Sequence, residues 1–252
     1  MKQVILYGNL DKKHPWLEGF KVSADGNLEL NISGVNSFQI DKEEQAITWQ
    51  DLFYSKLNEL CEPRELVNAA LESDHPMHII DKYIPSLWNR LKKYCHPESQ
   101  AEQDFFDLYC QLCVHHIGEY YDLPALIPRV YINWSFSKEK RNTNEEPYIV
   151  DFVFKSPVFG TNNLVIVEID GPSHYASYNS NLRQYTVCES TYANHLAKDR
   201  WLRKQGFKVF RIGNDEIKRI TSLPEKERLE QFYFFFIEVF GDIVFIEGYH
   251  SW

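Results

Sequence analysis

The chain has 252 residues, 44% of them apolar and 15% aromatic, enough to bury a sizeable core in one large domain or two modest ones. A formal charge of −9 excludes a protein that coats nucleic acid indiscriminately, because phosphate binding is driven by lysine and arginine displacing counterions; any basic surface must be local. The opening "MKQVILYGNLDKK" holds too short an apolar run for a signal peptide, and "FYFFFIEVF" falls well short of the ~20 residues of a membrane span, so the expectation is a cytoplasmic protein without membrane contact.

Residues from about Val4 to Ile40 alternate apolar and polar positions around turns such as "ADGN", which predicts short antiparallel strands. Helical patterns follow in "ITWQDLFYSKLNEL", "RELVNAALES" and "HIIDKYIPSLWNRLKKY", and this third of the chain carries no recognisable chemistry. A break at "CHPES" divides the chain into residues 1–95 and 96–252. Beyond it the spacing predicts a helix at about 99–118, strands near 129–136, 147–155 and 164–170, a helix at about 191–205, the strand "FKVFRI" and a C-terminal helix. The glycine of "KQGF" suits the left-handed position that ends a helix. The order αβββαβ implies an α/β domain with a mixed sheet covered by helices. Five scattered cysteines read as reduced thiols, and "CQLCVHH" lacks the second ligand pair of a zinc site.

The chemistry concentrates in "LVIVEIDGPSHY". Residues two apart in a strand share a face, so Glu168 and Asp170 are expected side by side, with Val167 and Ile169 packing on the other face. Asp151 lies inside the apolar run "PYIVDFVF", where an unpaired charge is costly. Three carboxylates converging on one point would share a hard divalent cation, Mg²⁺ or Mn²⁺, and a cation of that kind suits phosphodiester hydrolysis. The competing reading is a set of solvated or salt-bridged acids at strand ends. Glu102 fits either the third position of a capping box with Ser99 or, by its spacing to Phe105 and Tyr109, an inward-facing acid near the metal. Lys198 falls on the face of Trp201 and Leu202 and is also expected inward. His174, four residues after Asp170, is placed to contact a phosphate or a water, or to be an ordinary loop histidine. Arg200, Arg203, Lys204 and Arg211 gather positive charge in an acidic chain and form a candidate phosphate track, with Arg211, at the end of an apolar strand, expected inward and paired.

Taken together, "LIPRVYINWSF", "PYIVDFVF", "LVIVEIDGPSHY" and "KDRWLRKQGFKVFRIGNDEI" resemble the PD-(D/E)XK nuclease superfamily, in the branch related to very-short-patch repair endonucleases, over about residues 99–217. The resemblance implies a restriction-endonuclease-like core, Asp151 and Glu168 as metal ligands, Asp170 in a slot more often filled by lysine, Glu102 as the helix acid, His174 in the histidine position and Lys198 as the basic residue. It further implies a Mg²⁺- or Mn²⁺-dependent endonuclease acting on DNA, with RNA not excluded, in a defence, mobile-element or repair setting. Residues 1–95 would then supply target choice, autoinhibition, a protein-partner surface or a homo-oligomer contact. The alternative function is a non-hydrolytic module of the same fold that binds nucleic acid or a protein, and a small-molecule enzyme with a carboxylate metal site is a third class.

Overall fold

The computed structural model describes residues 2–8, 16–22, 28–33, 35–41, 46–56, 60, 77–115, 123–132, 148–155, 164–181 and 183–240. Four strands come first: β1 (Lys2–Tyr7), β2 (Trp16–Val22), β3 (Leu28–Ser33) and β4 (Asn36–Asp41). Then come helices α1 (Trp49–Ser55), α2 (Met77–Lys92) and α3 (Gln100–His115). Strands β5 (Ile127–Ile132), β6 (Tyr148–Lys155) and β7 (Leu164–Asp170) lead into a 3₁₀ turn at Pro172–His174 and the hairpin β8 (Ala176–Asn179) and β9 (Gln184–Val187). The chain continues through α4 (Glu189–Lys204), β10 (Lys208–Gly213), α5 (Asn214–Thr221) and α6 (Glu225–Phe240). The helix expected in "RELVNAALES" lies outside the described residues.

The central sheet is mixed and six-stranded, in the order β10-β7-β6-β5-β1-β4, with β10 parallel to β7 and the other pairs antiparallel. From α3 to β10 the elements follow the expected αβββαβ order, with the hairpin β8–β9 inserted before α4. That order establishes an α/β fold and is compatible with many families. The sequence division at residue 95 does not divide the sheet: Tyr7 of β1 pairs with Val130 of β5, and β4 lines β1 along its whole length, while β2 and β3 form a separate hairpin. The N-terminal strands therefore help to build the sheet that carries the acids. No helix among the described residues is long and apolar enough to cross a membrane.

β7 is buried from Leu164 to Ile169 and half-exposed only at Asp170, the pattern of a strand covered on both faces. One cover is aromatic. Phe105 of α3 meets Phe152 at 5.2 Å and Phe232 of α6 at 5.1 Å, and Tyr109 meets Phe154 at 5.1 Å and Phe236 at 4.7 Å. Edge-to-face and tilted contacts of this kind add about 0.5–1.5 kcal/mol each beyond area burial. The buried Tyr109 hydroxyl donates to the Pro124 carbonyl at 2.5 Å, so α3 is also pinned to the segment that enters β5.

α4 ends where its sequence says it should. Gly206 takes φ +92°, its N–H donates to the Arg203 carbonyl, and the Phe207 N–H donates to the Leu202 carbonyl, which together make a Schellman motif. Gly8 is also left-handed, at φ +76°, and a Cβ there would lie 2.8 Å from Tyr94 Cγ, whereas nothing lies within 4 Å of a Cβ at Gly206. Gly206→Ala should therefore cost about 1 kcal/mol, the backbone penalty alone, and Gly8→Ala clearly more, about 2 kcal/mol or above. Chemical denaturation of both variants checks this; equal losses would mean that the Tyr94 contact yields freely.

Candidate functional site

The sheet opens around Asp151. Ladder pairing between β6 and β7 runs from Lys155↔Leu164 to Phe152↔Val167 and stops there. Beyond it the Asp151 Oδ2 atom accepts the Ile169 N–H at 2.8 Å, a side chain standing in for the missing strand partner. On the other side, Arg129 of β5 sits between the pairs Pro128↔Phe152 and Val130↔Val150, opposite Asp151, with φ at 52°. A left-handed arginine inside a strand costs on the order of 1 kcal/mol and is strain of the kind that clusters at functional sites. Both ladders beside Asp151 are thus perturbed, which leaves a polar niche within an apolar sheet.

Glu168 projects into this niche with 1% of its surface exposed. Lys198 of α4 reaches it, placing Nζ 2.8 Å from Glu168 Oε1 and 2.8 Å from the carbonyl of Ile149. Two neighbours aim the lysine: Leu202 is fully buried one turn on, and Trp201 packs at 5.1 Å on Tyr148 at the start of β6. Glu102 is buried at the first turn of α3. Its amide donates to Ser99 Oγ at 3.3 Å, but its carboxylate accepts from the His96 N–H at 2.7 Å, so the reciprocal bond of a capping box goes to His96 instead of Ser99.

Asp170 goes elsewhere. The expected trio of Asp151, Glu168 and Asp170 around one point is not what the chain forms: one ligand atom each of Asp151, Glu168 and His174 lie within 4.8 Å of one another. Asp170 is drawn aside by Arg211 of the neighbouring strand, whose Nη1 donates to its Oδ1 at 2.5 Å, and by His174 Nδ1 at 3.0 Å. Arg211 also donates through Nε to Asp199 at 3.2 Å, and Asp199 accepts from Arg203 Nε at 2.7 Å. Arg203 completes the chain by donating to the Val209 carbonyl at 2.9 Å. Of the four residues expected to track phosphate, Arg203 and Arg211 are therefore bound to internal acids. Arg200 and Lys204 are exposed, and no described acid forms a salt bridge with either.

His195, unremarked in the sequence, stacks on His174 with ring centroids 4.3 Å apart. Its spacing of three from Lys198 places it on the inward face of α4, and that periodicity was the available signal. Arg129 carried no comparable signal, since nothing in "LIPRVYI" announces a left-handed arginine.

Charge in the niche is unbalanced. Burial raises the pKa of Glu168 to about 7, with the nearby Asp151 pushing the same way and Lys198 opposing. Burial likewise raises Asp151 to about 6, helped by Glu102 and opposed by Lys198. Burial pushes Glu102 upward as well. Asp170 behaves oppositely: burial alone would raise it, but the hydrogen bond from His174 and the charge of Arg211 outweigh that and hold it low. Burial and the neighbouring His174 bring His195 down to about 4. Lys198, with Arg129 acting on Glu102 and Arg211 on Glu168, does not offset the burial of these acids, and the remaining negative charge is relieved by a proton or by a cation.

Stability should record this surplus. Asp151 binds its proton more tightly in the folded chain, so its contribution declines as pH rises from 3.8 to about 6. Asp170 and His195, shifted downward, act in the opposite sense, so variant and wild type must be compared at each pH. Asp151→Asn keeps an oxygen for the Ile169 N–H and should melt higher than wild type at pH 7.5 without divalent cations, by on the order of 1 kcal/mol. The gain should vanish near pH 4; thermal melts giving parallel pH profiles for the two proteins would refute the buried charge at Asp151.

A family model, the RAP domain, matches residues 167–231, from the middle of β7 into α6. No curated protein and no solved structure gives a significant match. RAP domains are an RNA-binding domain family, not a PD-(D/E)XK nuclease family, and the nuclease resemblance is corrected accordingly. The motifs misled for a physical reason: a strand acid, a following helix cation and an arginine on the next strand also describe a buried, internally compensated ion network, as seen here at Glu168, Lys198 and Arg211. The expectation of DNA as partner rested on that resemblance and lapses with it.

Proposed function

We propose that this chain is a nucleic-acid-binding module directed at RNA, with its interface on the face built by the hairpin β8–β9 and α4. The observation that supports it is a coincidence of place: the RAP match at residues 167–231 contains Arg183, Arg200 and Lys204, which among the described residues are exposed and form no salt bridge with a described acid. Arg200 and Lys204 project from α4 one turn apart, and they are the phosphate contacts in this reading. Lys198, Arg203 and Arg211 hold the scaffold that presents them. Anisotropy titrations of single- and double-stranded RNA and DNA against salt test the reading. Arg200→Ala and Lys204→Ala should each weaken RNA binding about 3- to 10-fold and shallow the logarithmic salt dependence by about 0.7 per lost contact. Failure of the wild type to bind any RNA at low salt sinks it.

A second reading, cation-assisted phosphodiester hydrolysis, is favoured by Asp151, Glu168 and His174 offering ligand atoms within 4.8 Å of one another. Two carboxylates and an imidazole fit Mn²⁺ well and Mg²⁺ acceptably, and the surplus negative charge of the niche favours either. A bound cation there would polarise a phosphoryl group and lower the pKa of a water. Lys198 would steady Glu168 and balance developing charge, while Asp170, beside His174, would hold that imidazole in place as a ligand. Mn²⁺ should raise the melting temperature of the wild type and leave that of Asp151→Asn unchanged. Labelled RNA and DNA that stay intact with Mg²⁺ and with Mn²⁺ would leave the protein as a binding module without hydrolysis.

A further inference from the structure

Among the described residues, nine large apolar side chains are markedly exposed, and six of them fall between 175 and 196: Tyr175 47%, Tyr178 58%, Tyr185 53%, Val187 81%, Tyr192 53% and Leu196 41%. Scattered exposed apolar residues need no explanation, but a cluster in 22 consecutive positions does. The hairpin explains part of the arrangement. Its register pairs Ala176 with Val187 and Tyr178 with Tyr185, so these four share one face, while Ser177, Thr186, Asn179 and Gln184 make the other face polar. Ala176 is buried at the root, and the Cys188 N–H donates to the Tyr175 carbonyl, so the root is anchored and the two tyrosines are carried outward. Their rings sit 5.4 Å apart at 67°, in mutual contact and open on their outer sides. Two four-residue strands are marginal by themselves, yet the aromatic pair faces solvent and not the core.

α4 follows the hairpin directly. β9 runs through Cys188 directly into the helix, where the Tyr192 N–H bonds to the Cys188 carbonyl. Leu202 is the one residue of this 16-residue helix that is fully buried. Tyr192, Leu196, Arg200 and Lys204, spaced by four, form a ridge that is exposed along its length. The ridge changes character along the helix: aromatic and aliphatic near the hairpin, cationic about 12 to 18 Å beyond Tyr192. Arg183, also exposed, adds a charge at the hairpin turn.

Flat rings that are exposed but anchored, followed by free cations, match one ligand chemistry. Every nucleobase offers a π-face to a tyrosine, and the phosphates that follow need arginine or lysine. A duplex does not fit, because its bases are already stacked on one another; only unpaired bases reach the rings. We infer that Tyr178, Tyr185 and Tyr192 form a base-stacking site for a short run of unpaired nucleotides in single-stranded RNA, whose backbone continues toward Arg200 and Lys204. This inference rests on the nucleic-acid reading above and adds to it the strandedness of the ligand and the residues that select it.

The test uses the full chain and labelled RNA of one length, either unstructured or closed into a hairpin duplex. The single strand should bind more tightly. Tyr178→Ala, Tyr185→Ala and Tyr192→Ala should each lose between about 5- and 100-fold in affinity for it, the range measured for base–aromatic stacking. Tyr178→Phe should stay within about twofold of wild type, since it keeps the ring and loses only the hydroxyl. All these positions are exposed, and circular dichroism melts confirm that each variant folds. Alanine variants that bind the single strand as well as wild type, while Arg200→Ala and Lys204→Ala lose affinity, overturn the stacking site and leave the nucleic-acid reading standing. Equal affinity for duplex and single strand overturns it too. So do alanine variants that keep RNA affinity but lose self-association, which would assign the tyrosine face to a protein contact. A wild type that binds no RNA overturns both readings together.

Discussion

Whenever its carboxyl is ionised, the burial of Glu168 inside this sheet depends on Lys198. An isolated carboxylate in such a place costs several kcal/mol, and removing either partner of a buried pair is typically worth about 3–5 kcal/mol because the other is left uncompensated. The position of α4 follows from this. For Nζ to reach both Glu168 and the Ile149 carbonyl, the helix must cross the ends of β6 and β7, and Trp201 against Tyr148 and the buried Leu202 hold it there. The first half of the helix carries exposed Tyr192 and Leu196 on one side and His195, stacked on His174, on another. The exposed tyrosine ridge is a by-product of satisfying one buried acid.

The same accounting decides which basic residues are available to a ligand. Asp170, Arg211, Asp199 and Arg203 alternate in sign along the end of the sheet, each neutralised by the next. A sequence count of lysine and arginine overstates the positive surface, because a cation bound to an internal acid contributes geometry in place of phosphate affinity. On α4, Arg200 and Lys204 are left, and a chain that is acidic overall presents a small basic end on this helix.

The RAP-matched segment is not a self-contained body in this fold. It supplies β10 and the latter part of β7, but the acid opposite Glu168 comes from β6, the strained Arg129 from β5, and Glu102 from α3. The sheet that orders those strands continues into β1 and β4. A niche built at the junction between matched and unmatched segments couples the helix that presents the ridge to the rest of the chain through Glu168 and Lys198.

The amino-acid pattern alone determined the α/β class, the αβββαβ succession from about residue 99 to β10, the glycine stop of α4 and the inward direction of Lys198, because these depend on periodicity and local backbone preference, which act over a few residues; the hairpin β8–β9 and helix α5 were not part of that reading. It also marked Asp151 and Glu168 as acids in apolar strands and His174 as a polar side chain on the loop that follows. What it left open was which acids meet. Asp170 shares a strand face with Glu168 by rule, yet Arg211 arrives from a strand about forty residues later and takes it, and only the register of β10 on β7 brings that arginine within reach. The hairpin β8–β9 escaped notice because its strands are four residues long with tyrosines facing solvent, so no buried alternation announced them. Tertiary structure alone decided the partition of the cations, the left-handed turn at Arg129 and the membership of β1 and β4 in the central sheet, because each depends on contacts between residues far apart in the chain, where local propensity carries no information.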